Sequence, residues 1–164
     1  METIQIGPWI VKYDKEATCQ AYSQIEIGAA ERCKCEPCQN FAAVREKVYP
    51  KEAIEIFNKL GIDYKKEVEV SHVWRISPGW HFYSGSFHFV GVIEEIIDDL
   101  KPVDANGKTI DYVPVNEYFS WYFCPRLYLP ADKAFADQSL VQLDFSYDKV
   151  PWVLEVKEPE IDLK

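Results

Sequence analysis

The hydrophobic pattern changes period twice along the chain. From Ile4 to Tyr13, β-branched and aromatic residues are interrupted by Gly7-Pro8, which predicts an edge strand or two short strands around a bend. From Tyr22 to Ala29, Tyr22, Gln24 and Glu26 alternate with Ser23, Ile25 and Ile27, and a second strand with one apolar face is expected. The period then becomes helical. Phe41, Val44 and Val48 form one stripe and Ala53, Ile56, Phe57 and Leu60 another, separated by Tyr49-Pro50. Cys35 stands at the N-cap position, Pro37 is tolerated in the first turn, and Gly61 sits where a left-handed residue closes a helix. The prediction is a helical hairpin over residues 36–60.

Alternation returns at Glu67–Ile76 and ends at the turn Ser77-Pro78-Gly79. Trp80–Tyr83 and Ser86–Phe89 flank Ser84-Gly85 and predict a two-residue β-hairpin, which sets His81 opposite His88 on its polar face. Asn106-Gly107 predicts another hairpin between strands at about residues 90–103 and 108–116. Phe119–Cys124, Leu140–Tyr147 and Val150–Val156 read as further strands, the last at an edge because of Pro151. Residues 126–139 read as loop with one helical turn near Ala134, and the charged tail from about Lys157 is expected to fray. The fold class that follows is α+β: a mostly antiparallel β-sheet, as a sandwich or partial barrel, with an inserted helical hairpin and one domain over residues 1–164.

Composition narrows the function. Hydrophobic residues make up 48% of 164 residues, enough for a core without cross-links. A net charge of −9 with scattered lysines opposes nucleic acid and anionic membrane surfaces. The first residues, Met1–Pro8, lack the basic and apolar regions of a signal peptide, and no apolar run reaches membrane-spanning length, so a cytoplasmic location is expected. Five cysteines, an odd number, fit reduced thiols or metal ligands better than a secreted disulfide framework.

The candidate chemistry is concentrated in Cys33-Lys34-Cys35-Glu36-Pro37-Cys38-Gln39-Asn40-Phe41. Three thiols in six residues supply three of the four ligands of a structural zinc site, with Cys19, Cys124, His72, His81 or His88 as sources of a fourth. Cys33, Cys35, Cys38, His81 and His88 are therefore the candidate metal ligands, and zinc is the candidate ion. Cys35-Glu36-Pro37-Cys38 also resembles the thioredoxin-type C-x-P-C turn, which would activate Cys35 at a helix start; the second helix and long antiparallel run downstream depart from that fold. Packing of buried, reduced cysteines is the third reading. Glu94, Glu95, Asp98 and Asp99 lack EF-hand spacing and read as a solvated face. Neither a nucleophile elbow nor a phosphate-binding loop is present.

The cysteine run with Asn40-Phe41, followed by Tyr49-Pro50, Leu60-Gly61-Ile62-Asp63, the strand Glu67–Val70 and Phe87-His88-Phe89-Val90-Gly91, resembles a bacterial protein family with a C-x-C-x-x-C-x-N-F motif. The resemblance spans roughly residues 30–92 and implies a bacterial, cytoplasmic setting; it brings no catalytic residue. The expected function is a non-enzymatic binding or interaction module with a structural, zinc-compatible cysteine cluster and a protein or small-molecule partner. The competing class is an enzyme using Cys35/Cys38 redox chemistry or a Cys/His metal centre.

Overall fold

A computed structural model of the chain describes residues 1–160. Strands β1 (Glu2–Ile6) and β2 (Trp9–Tyr13) open it, followed by α1 (Lys15–Gln24), α2 (Ala29–Arg32), α3 (Glu36–Val48) and α4 (Lys51–Leu60). Then come β3 (Glu69–Ser77), β4 (Trp80–Ile96), β5 (Val113–Pro114), β6 (Phe119–Cys124) and β7 (Leu140–Pro151), with single 3-10 turns at Asp98–Leu100 and Lys133–Phe135. All strand pairs are antiparallel, in one seven-stranded sheet ordered β1-β2-β4-β7-β6-β5, with β3 paired to β4. The chain is thus an α+β protein built on an antiparallel sheet, with the predicted helical pair at 36–60.

Strand β4 organises this sheet. It runs unbroken for 17 residues, pairing with β3 through Trp80–Ser86, with β7 through Trp80–Val90 and with β2 through Gly91–Ile96. The hairpin expected at Ser84-Gly85 does not form. Gly85 serves close packing instead: a Cβ there would lie 2.6 Å from two ring carbons of Phe145 and 2.8 Å from the Glu69 carbonyl oxygen. The turn that does form is Pro78-Gly79, with Ser77 opposite Trp80 and Gly79 at φ +82°.

Three further expectations change. Residues 22–29 are not a strand but the end of α1, a short connection and the start of α2. The Asp14 side chain accepts from the Ala17 amide at 2.9 Å and so caps α1, and Ala21 and Tyr22 turn inward, where the Tyr22 hydroxyl donates to the His88 carbonyl at 2.8 Å. Asn106-Gly107 does make a turn, but only the isolated bridge Val103–Thr109 flanks it, because β4 ends at Ile96 and the chain coils at Asp98–Leu100. Of the strand expected at 150–156 only Val150 and Pro151 are extended, as the end of β7, where Pro151 faces Trp80 at the terminal pair; residues 152–156 form no strand.

The core lies where α3 and α4 cross the sheet. Phe41, Tyr49 and Phe57 from the helices meet Phe87, Phe119 and Phe145 from the strands, all buried. Phe41 stacks on Phe145 at 6.0 Å, and Tyr49 approaches the same ring edge-on at 5.5 Å. Gly61 closes α4 at φ +82°, and Ile62 behind it returns its amide to the Phe57 carbonyl at 2.9 Å. This packing fixes the start of α3 above β4.

Candidate metal centre

The cysteine run forms the corner between α2 and α3. Cys33 ends α2, its amide donating to the Ala29 carbonyl at 3.0 Å, and Cys35 is the N-cap of α3. The loop between them is drawn tight by the Gln39 side chain, which donates to the Lys34 carbonyl at 3.1 Å. The three sulfurs consequently converge, all within 4.8 Å of one another, and among the described residues they are the one group with metal-ligand spacing. Cys33 and Cys35 are exposed, and Cys38 is buried.

The corner rests on a buried ion pair. Arg45 of α3 donates through Nη1 to both oxygens of Glu67, at 2.8 and 3.1 Å, and through Nη2 to Glu31 of α2. Arg45 and Glu67 are almost fully buried, whereas Glu31 is half-exposed. Glu67 also takes the first turn of α2, accepting from the Ala29 amide at its main-chain carbonyl (2.9 Å) and from the Ala30 amide at Oε2 (3.5 Å). Burial pushes the Glu67 carboxyl above its ordinary range, against the opposing pull of Arg45. Gly28 makes the approach of α2 possible, since a Cβ there would lie 2.6 Å from Glu67 Oε2 and from the Lys65 carbonyl oxygen. One carboxylate thus aligns two helices and the strand that follows.

The thiols are electrostatically unequal. Cys33 and Cys35 have sulfurs 3.1 Å apart, and hydrogen bonding from the Cys35 thiol, with further help from the Cys35 backbone and Cys38, lowers the Cys33 pKa. Burial raises that of Cys38, and donation toward Cys33 and Cys35 raises it further. In a tetrahedral site with Zn–S of about 2.3 Å, neighbouring sulfurs stand about 3.8 Å apart, so the close pair need open by less than about 1 Å. The ensemble suits an ion that displaces three thiol protons.

The predicted histidines separate. His81 and His88 lie on one strand, roughly 23 Å apart at about 3.3 Å per residue, and cannot share an ion. His88 is buried against the Gln142 side chain, 3.4 Å from Nε2 to Oε1, with Nδ1 unpartnered; burial holds its pKa below the ordinary histidine value. His81 is buried and bonded at both nitrogens, to His72 Nε2 at 2.8 Å and to Glu158 Oε2 at 2.9 Å. Glu158 accepts in addition from the Gly79 amide at 2.9 Å and pairs with Arg75 at 3.2 Å. His81, then Gly79 and Arg75, hold the Glu158 carboxyl below its usual range. Glu158 therefore anchors the tail one residue beyond Lys157; residues 161–164 of that tail lie outside the described residues. Cys19 and Cys124 stand apart from the cluster, Cys124 donating to Asp144 at 3.3 Å.

Tyr83 joins the histidine group to the cysteine corner. Its hydroxyl donates to the carbonyl of Pro37, the residue before Cys38, at 2.8 Å, and its ring lies 5.1 Å from that of His72, its opposed partner across β3 and β4. Asn40 completes the seat of α3: its side chain donates to the Pro151 carbonyl at 3.0 Å and accepts from the Val153 amide at 2.8 Å. Its partners lie at the end of β7 and just beyond it, so the sequence could suggest a hydrogen-bonding role for Asn40 without naming them. The roles of Glu158, Arg45 and Glu67 carry no local sequence signal.

The acidic group Glu94, Glu95, Asp98 and Asp99 is exposed, as expected of a solvated face. Among the described residues no helix is long and apolar enough to cross a membrane. Comparison of the chain with protein families, with curated proteins and with solved structures finds no match, so the geometry of the site carries the functional reading.

Proposed function

We propose that this protein is a non-enzymatic binding module whose cysteine corner holds one zinc ion through the thiolates of Cys33, Cys35 and Cys38. The observation that carries the reading is the convergence of three sulfurs within 4.8 Å on a corner held by a buried ion pair. Thiolate ligands favour zinc or Cu(I) over hard cations, and zinc adopts the tetrahedral geometry that a C-x-C-x-x-C turn at a helix start accommodates. An interaction role is supported by a groove of about 360 Å³ that includes Trp74, Ile76, Phe82 and Tyr118, beside which Trp80 is also exposed.

Thiol redox chemistry is the second reading, favoured by the contact between Cys33 and Cys35 and by the lowered Cys33 pKa. Metal analysis and thiol titration of protein purified without a histidine tag separate the two. The expected result is about one zinc per chain, lost in Cys38→Ser. Protein without metal, with Cys33 and Cys35 titrating freely or recovered as a disulfide after mild oxidation, overturns the zinc reading.

A further inference from the structure

We propose that the face of the sheet turned away from the helices binds an extended basic segment of a partner protein, whose arginine or lysine side chains sit among Trp74, Tyr118, Glu117 and Asp148. The inference rests on the interaction role proposed above and names the chemistry of the partner; it does not depend on the metal.

Alternation along the strands sorts the two faces. Tyr83, Phe87, Phe119 and Phe145 join the core under the helices, so Phe82, Ser84, Ser120 and Ser146 point the other way. Register then draws a row of four serines straight across that outer face. Ser71 opposes Ser84, Ser84 opposes Ser146, and Ser146 opposes Ser120, with 2.9 Å between the last two hydroxyls. At about 4.8 Å per strand, three spacings make a floor about 14 Å long, the reach of four or five residues of extended chain. Serine side chains are short, so the floor lies low, and their hydroxyls both donate to and accept from a peptide backbone.

The groove of about 360 Å³ lies on one side of this row. Trp74 opposes Phe82 there, the rings set edge to face with centres 4.9 Å apart, and Trp74 is half-exposed. A shift in register between His81 and Tyr83 sets Phe82 against two residues of β7, Asp148 and Lys149. Asp148 and Glu117 line the groove. Lys149 lies beside it, its ammonium 4.3 Å from the centre of the Tyr118 ring and 5.2 Å from that of Trp80, so the rings of this face already carry one cation. On the other side of the row is a second cavity of about 130 Å³, lined by Glu69, Ser86, Tyr112 and Asp144 among others.

Charge selects the occupant. Every charged residue lining the two cavities is acidic: Glu117 and Asp148 in the first, Glu69 and Asp144 in the second. Among the described residues none of the four forms a salt bridge, and Asp144 accepts only from the neutral donors Ser86, Gln142 and Cys124. Lys149 offsets part of this charge and leaves an excess of anion. Four carboxylates beside exposed aromatic rings, on a chain of net charge −9, complement a cation. Arginine suits them best, because its planar guanidinium both forks onto a carboxylate and stacks on an aromatic face. A neutral glycan would use the rings and hydroxyls but leave the carboxylates without counter-charge.

The test titrates the full-length, untagged, ¹⁵N-labelled chain with end-blocked hexa-arginine, hexa-lysine and hexa-glutamate peptides and with a neutral glucan hexasaccharide. The two basic peptides are expected to bind, more weakly as salt rises, and to shift the amides of residues 69–76, 82–86, 116–120 and 144–148; hexa-glutamate is expected not to bind. Trp74→Ala is expected to weaken hexa-arginine binding about 3–30-fold, the span from an exposed to a desolvated cation–π contact. Glu117→Gln and Asp148→Asn are expected to weaken it about 2–5-fold each. The control Glu94→Gln/Glu95→Gln removes the same charge at the other end of β4 and is expected to change affinity less than about 2-fold. All these positions except Glu94 are exposed, and an unchanged urea midpoint shows that each variant is folded. Equal weakening by the control pair, or shifts scattered away from the groove, shows attraction to bulk charge and overturns the inference. Tighter binding of the hexasaccharide on this face also overturns it, while leaving the interaction role standing with another ligand. If neither peptide nor sugar perturbs the face, the inference fails and the groove no longer supports an interaction role; zinc content of the same samples reports separately on the cysteine corner.

Discussion

Arg45 and Glu67 decide where the cysteine corner sits, and neither announces itself in the sequence. Arg45 lies among the polar residues of an amphipathic helix and Glu67 at the start of an alternating strand, and both patterns ordinarily place charge in water. Only the fold brings them together, and their mutual burial makes each dependent on the other. Arg45→Met strands a buried carboxylate and is expected to lose about 3–5 kcal/mol in urea unfolding, whereas the double variant Arg45→Met/Glu67→Leu recovers most of that loss. Equal destabilisation in the single and double variants would show that the pair contributes nothing by its charge. At the same scale, the tryptophans divide: Trp9 and Trp121 are core, while Trp74 and Trp80 are exposed. Periodicity alone does not say which face of an edge strand another element will cover.

At the scale of elements, the helical hairpin was legible because every local signal agreed: two apolar stripes, a proline between them and a glycine at the closing position. The 80–89 segment departs from the expected hairpin for a physical reason. Ser84-Gly85 has the composition of a tight turn, yet its glycine exists to admit the Phe145 ring and the Glu69 carbonyl from neighbouring strands. Gly85→Ala is accordingly expected to cost about 1–3 kcal/mol by overpacking, read as a lower urea midpoint with an unchanged far-ultraviolet spectrum. A neutral substitution would mean that Phe145 can move aside freely. Residues 22–29 are not a strand because six alternating residues also fit the end of one helix and the start of another, and the Asp14 cap and the inward Tyr22 favour the helices.

Across the whole molecule, the core and the candidate centre are built from different parts. The aromatic core lies between α3, α4 and the sheet, while the cysteines occupy a corner that is largely exposed. Removing metal is therefore expected to loosen the corner without unfolding the sheet. Hydrogen exchange after chelation should quicken over residues 29–41 and stay slow in β4 and β7, which carry the longest paired ladder. Global unfolding on chelation would instead assign the ion a place in the folding of the entire chain.

Local chemistry in the chain determined the two helices, the α+β class, the antiparallel preference and the convergence of Cys33, Cys35 and Cys38, because helix stripes, turn residues and a six-residue cysteine spacing act over short stretches of backbone. Tertiary structure alone decided that β4 runs through Gly85, that His81 meets His72 and Glu158 rather than His88, and that Arg45 finds Glu67. Those outcomes depend on strand register and on burial across as many as 77 positions, the separation of His81 and Glu158. A shift of one residue in register turns every side chain of a strand to its other face, which is why the histidine geometry could not be read before the sheet was closed.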